Sequence, residues 1–517
     1  MSYRDRLGNH QDHARIATAL EESANVYSDF SDLEKEIARS FDEARTGKVW
    51  KTRFYRYGTN QTTEGTKLLD NADMAIPTPA TDTAEGSDDY LQYGVFQWQH
   101  CNYVRDDSDG FARPTAIEGM VGFKDSGAVD IGTLRMTFYW KQEIHTTYID
   151  WIMSDTPHKE LGLVPWTDAV KVNADGSIKV MPYFIVSSYN SVKGSDGYPR
   201  SQHGTPLYNQ SYNSQITDYQ KKGAGYWGSG ASRNSLQIIW ERIKYATKSS
   251  QKYFMGTVSY DAHIKVAFGE SNTKRVLVAT SATIFSPQTC ISISKTGDAS
   301  NVDRQSTDCH ATVDRAMITS IETVTINSVS YLALNLDVDT AFTTDTGMYV
   351  VTMPAHSGVT DSVIGLYDGS PVSNTDGKHS YRVGGVEYMN GQAVIPSDTV
   401  MEFNSDYTKN VYCAERGTAH VANAHTNYKL VGKIPKAGDI WQGSTKIDMS
   451  TGCHSCLEAG GGDSVGNGDF IWGGGNSSGL REYYQCGALG SGSGAGASSV
   501  LAGVALSGAD WAYASCD

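Results

Sequence analysis

Cys453 and Cys456 form a C-x-x-C pair in "STGCHSCLEAGGG", a spacing used by zinc sites, redox motifs and local disulfides. A zinc knuckle needs a second pair at matched spacing, and none follows. A thioredoxin-type site puts the pair at a helix start after a strand, whereas this one reads as a Gly-rich loop. The pair is therefore expected to be free thiols or a local disulfide, without metal. Eight cysteines in 517 residues are too few for a disulfide scaffold. A serine nucleophile requires a G-x-S-x-G elbow between strand and helix, and the serines of "GSGSGAG" only repeat on a Gly/Ala background. The 13 histidines show no HxxxH or HxxxE pattern on a helix. "DVDTAFTTDTG" and "YVRDDSDG" lack the complete calcium-loop pattern and read as solvated turns. Paired carboxylates of the glycosidase kind have no distinguishing spacing among 58 acidic residues. The expectation is a protein with no catalytic residue, no metal and no cofactor.

Recognition chemistry is better represented. Tyr is abundant, 30 residues against 14 Phe, and it supplies rigid contact area with a polar tip. From Cys486 to Asp517 the chain is mostly Gly, Ala and Ser, with no Lys, Arg, Glu, Gln, Pro or Met. Such a composition usually marks a flexible linker. The aromatics Tyr483, Tyr484, Trp511 and Tyr513 around it argue against one. A formal charge of −15 argues against a nucleic-acid partner, which needs clustered Lys and Arg. No apolar run approaches the roughly 20 residues that cross a bilayer, and "MSYRDRLGNHQDHAR" carries no signal-peptide h-region. A soluble protein made in the cytoplasm and not inserted in a membrane is expected.

The elements that would position these residues read as β-rich α+β. Ile16, Leu20 and Ala24, then Leu33, Ile37 and Phe41, fall at i, i+4, i+8, so residues 1–47 form an N-terminal helical attachment segment. "SDLE" (Ser31 to Glu34) is a capping box opening the second helix. These helices pack on their own domain, dock onto an assembly or bundle about a symmetry axis. Residues 48–144 alternate as strands and form a β-rich platform. "SRNSLQIIWERIKYATKSSQKYFMG" is a helix with Leu236, Ile239, Ile243 and Ala246 on one face. Short alternating strands over 262–353 suggest an inserted all-β barrel or sandwich. That leaves 145–261 and 354–517 as one further domain.

"GGVEYMNGQAVIPSD", "GDFIWGGGNSSGLREYYQCG" and the closing tail together resemble the C-type-lectin fold in its formylglycine-generating-enzyme-like branch. Gly385, Glu387 and Gly391 match the branch's G-x-E-x-x-x-G segment, with Asn390 before the last glycine rather than after it. The tail is similar to the variable regions of phage proteins diversified by retroelements, with Gly487, Ala495, Gly496, Ser498 and Trp511 as counterparts of the framework. Randomising asparagine codons at adenines would exclude Lys, Glu, Gln, Met and Trp, and residues 486–517 fit apart from Trp511. Cys486 and Cys516 are late cysteines, but the R-x-x-R-G-G-S-W context of the branch's copper enzymes is missing, only Arg481 being present.

The resemblance implies a virion-borne receptor-binding protein, a tail adhesin reading a bacterial surface protein or glycan. Its N-terminal half would contact other virion proteins and organise a homo-oligomer, a trimer. Glycines 487, 492, 494 and 496 and Trp511 are the expected framework. The expected read-out is one exposed patch of Tyr483, Tyr484, Gln485, Ala488, Gly490, Ser491, Ser499, Val500, Ala502, Asp510, Ala512, Tyr513 and Ala514. A structural tail or capsid decoration protein and a virion glycan hydrolase are the alternative readings.

Overall fold

The computed structural model describes residues 30–517 apart from 109, 174, 298–302, 436–437, 463–464 and 476–477. The fold is β-rich α+β, with three α-helices among the described residues: α1 (Asp32–Glu43), α2 (Tyr212–Gln220) and α3 (Ser232–Ile243). Ser31 and Glu34 close the capping box at α1, each side chain accepting the other residue's backbone N–H. α1 docks on its own protein. Ile37 and Ala38 are buried, and Glu34 accepts from the Tyr183 hydroxyl at 2.5 Å and from Arg113 at 2.8 Å. The helix expected around Ile16, Leu20 and Ala24 lies outside the described residues.

The core explains why α3 carries more than one apolar face. All twelve of its residues are buried. Trp240 packs against Phe96 and Phe138, both with ring centroids 5.4 Å away. One apolar cluster runs from Trp50 and Trp140 through α3 to Tyr381, Cys486 and Ala497. Two antiparallel sheets from the first 190 residues flank it, one built on Val49–Tyr55 and Tyr148–Ser154, the other on Gln99–Arg105 and Asp130–Met136. The hairpin Tyr139–Ile144/Tyr148–Ser154 crosses the expected 144/145 boundary. Residues 48–144 and the segments 145–261 and 354–517 thus share one core instead of packing as separate domains.

Residues 263–353 build their own six-stranded sheet around a second core that includes Val276, Ile291, Ile318 and Leu334. Its first strand, His263–Lys265, pairs with its last, Tyr349–Met353. The chain therefore leaves and returns at one place, as an inserted unit must.

The tail completes a seven-stranded sheet. Phe470–Trp472, Val500–Leu501, Tyr484–Gln485, Ala393–Val394 and Tyr513–Ala514 lie side by side, with parallel pairs Ile471↔Val500 and Ala393↔Tyr513. This Gly/Ala/Ser stretch is ordered structure, because missing side chains let it pass close to its neighbours. At Gly496 a Cβ would collide with the Asp469 carboxylate, and at Gly494 it would stand 3.0 Å from Trp472. Cys456 sits on the strand His454–Ala459 with Cys453 just before it, which corrects the Gly-rich-loop reading. All eight cysteines are buried.

Candidate functional site

Side chains on a strand alternate between faces, and the tail strands show this in paired rows. Tyr484 lies opposite Leu501, and Leu501 is beside Trp472. That row borders a cleft of about 340 Å³, within the range of small-ligand sites. The next row is Gln485, Val500 and Ile471, all buried. Tyr513, paired with Ala393 on the neighbouring strand, stacks on Tyr484 at 4.1 Å between centroids. The turn from Gly487 to Ser491, together with Ala512 and Asp261, closes the walls.

Eight of the thirteen expected read-out residues line this cleft: Tyr484, Gln485, Ala488, Gly490, Ser491, Ser499, Ala512 and Tyr513. Tyr484, Gln485 and Ser499 are buried and form its floor, which corrects their expected exposure. The other five do not line it. Tyr483 is buried among Cys413, Cys453 and Ile471, its hydroxyl donating to the His454 carbonyl at 2.6 Å. Val500 and Ala502 belong to the same cluster. Ala514 is buried beside Val394, on the face opposite to Tyr513. Asp510 caps a turn, accepting from the Ala512 backbone at 3.1 Å. Val500 and Ala514 are turned from the cavity by period-2 alternation, Tyr483 and Ala502 are buried in the core, and Asp510 is half-buried outside the cleft.

Trp472, Leu489, Leu501, Ala393, Gly487 and Asp261 also line the cleft and were missed. Leu501 sits next to Val500 in a strand two residues long, too short to show alternation. Trp472 and Asp261 reach the cleft only through tertiary pairing. Trp511, expected as framework, is half-buried against the core of the inserted module, with the Arg304 guanidinium 4.6 Å above its ring.

The polar side chains at the floor and turn are held by the protein itself. Ser499 Oγ donates to the Gly494 carbonyl at 2.7 Å, and Ser491 Oγ accepts from the Ala488 N–H at 3.0 Å. Gln485 Nε2 lies 3.3 Å from His454 Nδ1. Burial lowers the His454 pKa to about 3, so the ring is neutral and Nδ1 accepts. Below the floor, Asp469 accepts from the Ser498 N–H at 2.8 Å and from its hydroxyl at 2.5 Å. Burial raises the Asp469 pKa to about 6.

Elsewhere, several chemistry-bearing residues among the described ones are engaged in contacts within the fold. Glu387 of "GGVEYMNG" accepts from the backbone N–H groups of Gly358 and Thr360 and from the Thr360 hydroxyl, pinning a turn. Cys486 and Cys516 donate to Asn234 Oδ1 at 2.8 Å and Asn190 Oδ1 at 3.2 Å, and burial pushes both thiols up, away from the thiolate that metals and nucleophilic chemistry need. Glu143, His145 and Asp150 bring ligand atoms within 4.8 Å of one another, but Lys51 and Arg53 already hold Asp150 at 2.6 and 2.7 Å. A second, charged crevice of about 50 Å³ lies between Arg105, Arg416, Asp168 and Asp517. Two ion pairs cross it, Arg105 with Asp517 and Arg416 with Asp168. No helix among the described residues is long and apolar enough to cross a membrane.

No family model matches the chain, and no curated protein matches it.

Proposed function

We propose that the protein is a phage virion receptor-binding protein, a tail adhesin that uses the cleft of its C-terminal segment to hold a ligand on the bacterial surface. The observation that carries this reading is the convergence of small and aromatic tail residues on one cavity. Ala488, Gly490, Ser491, Ala512 and Tyr513 surround it, over a floor fixed by hydrogen bonds to the backbone. A wall of small side chains on a rigid frame can change shape without disturbing the core. The cleft residues contain one carboxylate, Asp261, where glycoside hydrolysis uses two, so binding is favoured over hydrolysis. Single sites of this size bind weakly, so adhesion would rest on several copies per particle, and the homotrimer is part of the proposal.

The test fills the cleft. Ala488→Arg and Ala512→Arg, made separately, are expected to abolish adsorption to host cells while keeping the wild-type melting temperature, since both positions are partly exposed. Full adsorption by either folded variant overturns the reading and leaves the decoration protein in its place.

A further inference from the structure

The polar groups of the cleft narrow the chemistry of its ligand. Ser499 Oγ donates to the Gly494 carbonyl and Gln485 Nε2 bonds His454, whereas Ser491 Oγ accepts from the Ala488 N–H and keeps its own proton for a ligand. Ala488, Gly490, Ala512, Leu489 and Leu501 offer no side-chain hydrogen bond at all. What remains is the ring surface of Trp472 and Tyr513, both partly exposed, the Asp261 carboxylate, the Ser491 hydroxyl proton and the buried Tyr484 hydroxyl, which has no hydrogen-bond partner among the described residues. Tyr484 is fully buried and supports Tyr513 from behind.

Asp261 is held in a defined pose. Its Oδ1 accepts from Arg304 Nη2 at 2.5 Å, and Arg304 is anchored in turn by the Thr352 carbonyl at 2.8 Å. Oδ2 has no hydrogen-bond partner among the described residues and lies 2.7 Å from where a Cβ on Gly490 would stand. The side chain is 45 % exposed. A cleft with two available aromatic rings, one oriented carboxylate oxygen and no basic lining residue is complementary to a cation. It suits a polyhydroxylated ligand less well, because only the Ser491 and Tyr484 hydroxyls and the Asp261 carboxylate remain to pair several sugar hydroxyls. The protein's charge of −15 adds long-range attraction for positive groups.

We infer that the cleft captures a basic side chain, Lys or Arg, displayed by a protein of the bacterial surface. The ammonium or guanidinium rests against Asp261 Oδ2, its alkyl stem lies on Trp472 and Tyr513, and Arg304 of the inserted module positions the carboxylate. This inference rests on the adhesin reading and deepens it.

The intact protein is titrated by calorimetry and NMR with Nα-acetyl-lysine amide, Nα-acetyl-arginine amide, Nα-acetyl-norleucine amide and glucosamine. The Lys or Arg probe is expected to bind about tenfold more tightly than the norleucine probe, with that advantage shrinking as salt rises. Asp261→Asn should remove the advantage and leave norleucine binding unchanged, which also shows that the variant is folded. Equal binding of the basic and norleucine probes, or an unchanged advantage in Asp261→Asn, overturns the inference. So does glucosamine binding more tightly than both basic probes, since it points to an amino-sugar ligand. Cell adsorption separates the two readings. Loss in Ala488→Arg with full retention in Asp261→Asn sinks the basic-side-chain inference alone, whereas retention in Ala488→Arg sinks the adhesin reading.

Discussion

Gly496 shows how little freedom the frame has. Any Cβ there meets the Asp469 carboxylate, so Gly496→Ala should destabilise by about 1–3 kcal/mol, the usual cost of overpacking. A thermal melt checks this, and an unchanged melting temperature would mean that Asp469 moves aside. Glu482 makes a pH-dependent prediction. Its Oε1 accepts from the Tyr212 N–H at 2.7 Å, and burial raises its pKa from 4.5 to about 9. Its contribution to stability is therefore full below pH 4.5 and is lost progressively as pH rises to about 9. Glu482→Gln keeps the acceptor and removes the ionisation. The variant should melt higher than wild type at pH 8 and converge with it near pH 4.5, as scanning calorimetry across that range would show. Among single residues, Gly494 and Gly496 were legible in the sequence as close-approach positions beside aromatics, whereas a Cβ at Gly492 would meet nothing within 4 Å. Asp261 was not, because its place in the cleft depends on Arg304, which is 43 positions away.

The elements were legible in proportion to their length. α1 was marked by its capping box and by Leu33, Ile37 and Phe41 on one stripe. Ser31→Ala should cost about 1 kcal/mol of stability through loss of the cap, read as a lowered denaturation midpoint. The tail strands Tyr484–Gln485, Val500–Leu501 and Tyr513–Ala514 are two residues each, too short to show period-2 alternation, and their neighbours come from distant parts of the chain. That is why Val500, Ala502 and Ala514 passed as read-out in the sequence but are core in the fold. The alternation yields a prediction for related isolates. Substitutions should concentrate at Ala488, Gly490, Ser491 and Ala512 and spare Tyr483, Val500 and Ala514. Sequencing sister genes checks it, and variation spread evenly over both sets would favour a decoration protein.

Across the whole molecule, the β-rich α+β class followed from short alternating strands and few helical stretches. The core shared by the N-terminal sheets and the tail did not, because Trp50, α3 and Ala497 join one cluster from distant parts of the chain, and sequence periodicity reports faces rather than their partners. The inserted module packs Leu489 and Trp511 of the tail into its own apolar cluster, so it buttresses the cleft as well as supplying Arg304. The proposed trimer predicts three times the chain mass by light scattering at micromolar concentration, and a monomer there would remove multivalency from the proposal. The most direct measurement of the central claim is hydrogen–deuterium exchange of the intact protein with and without host outer-surface extract. Protection is expected in peptides covering 484–491, 499–501 and 511–513, together with Trp472 and Asp261. Protection confined to other surfaces, with the cleft peptides unchanged, would contradict the assignment of this cleft as the ligand-binding site.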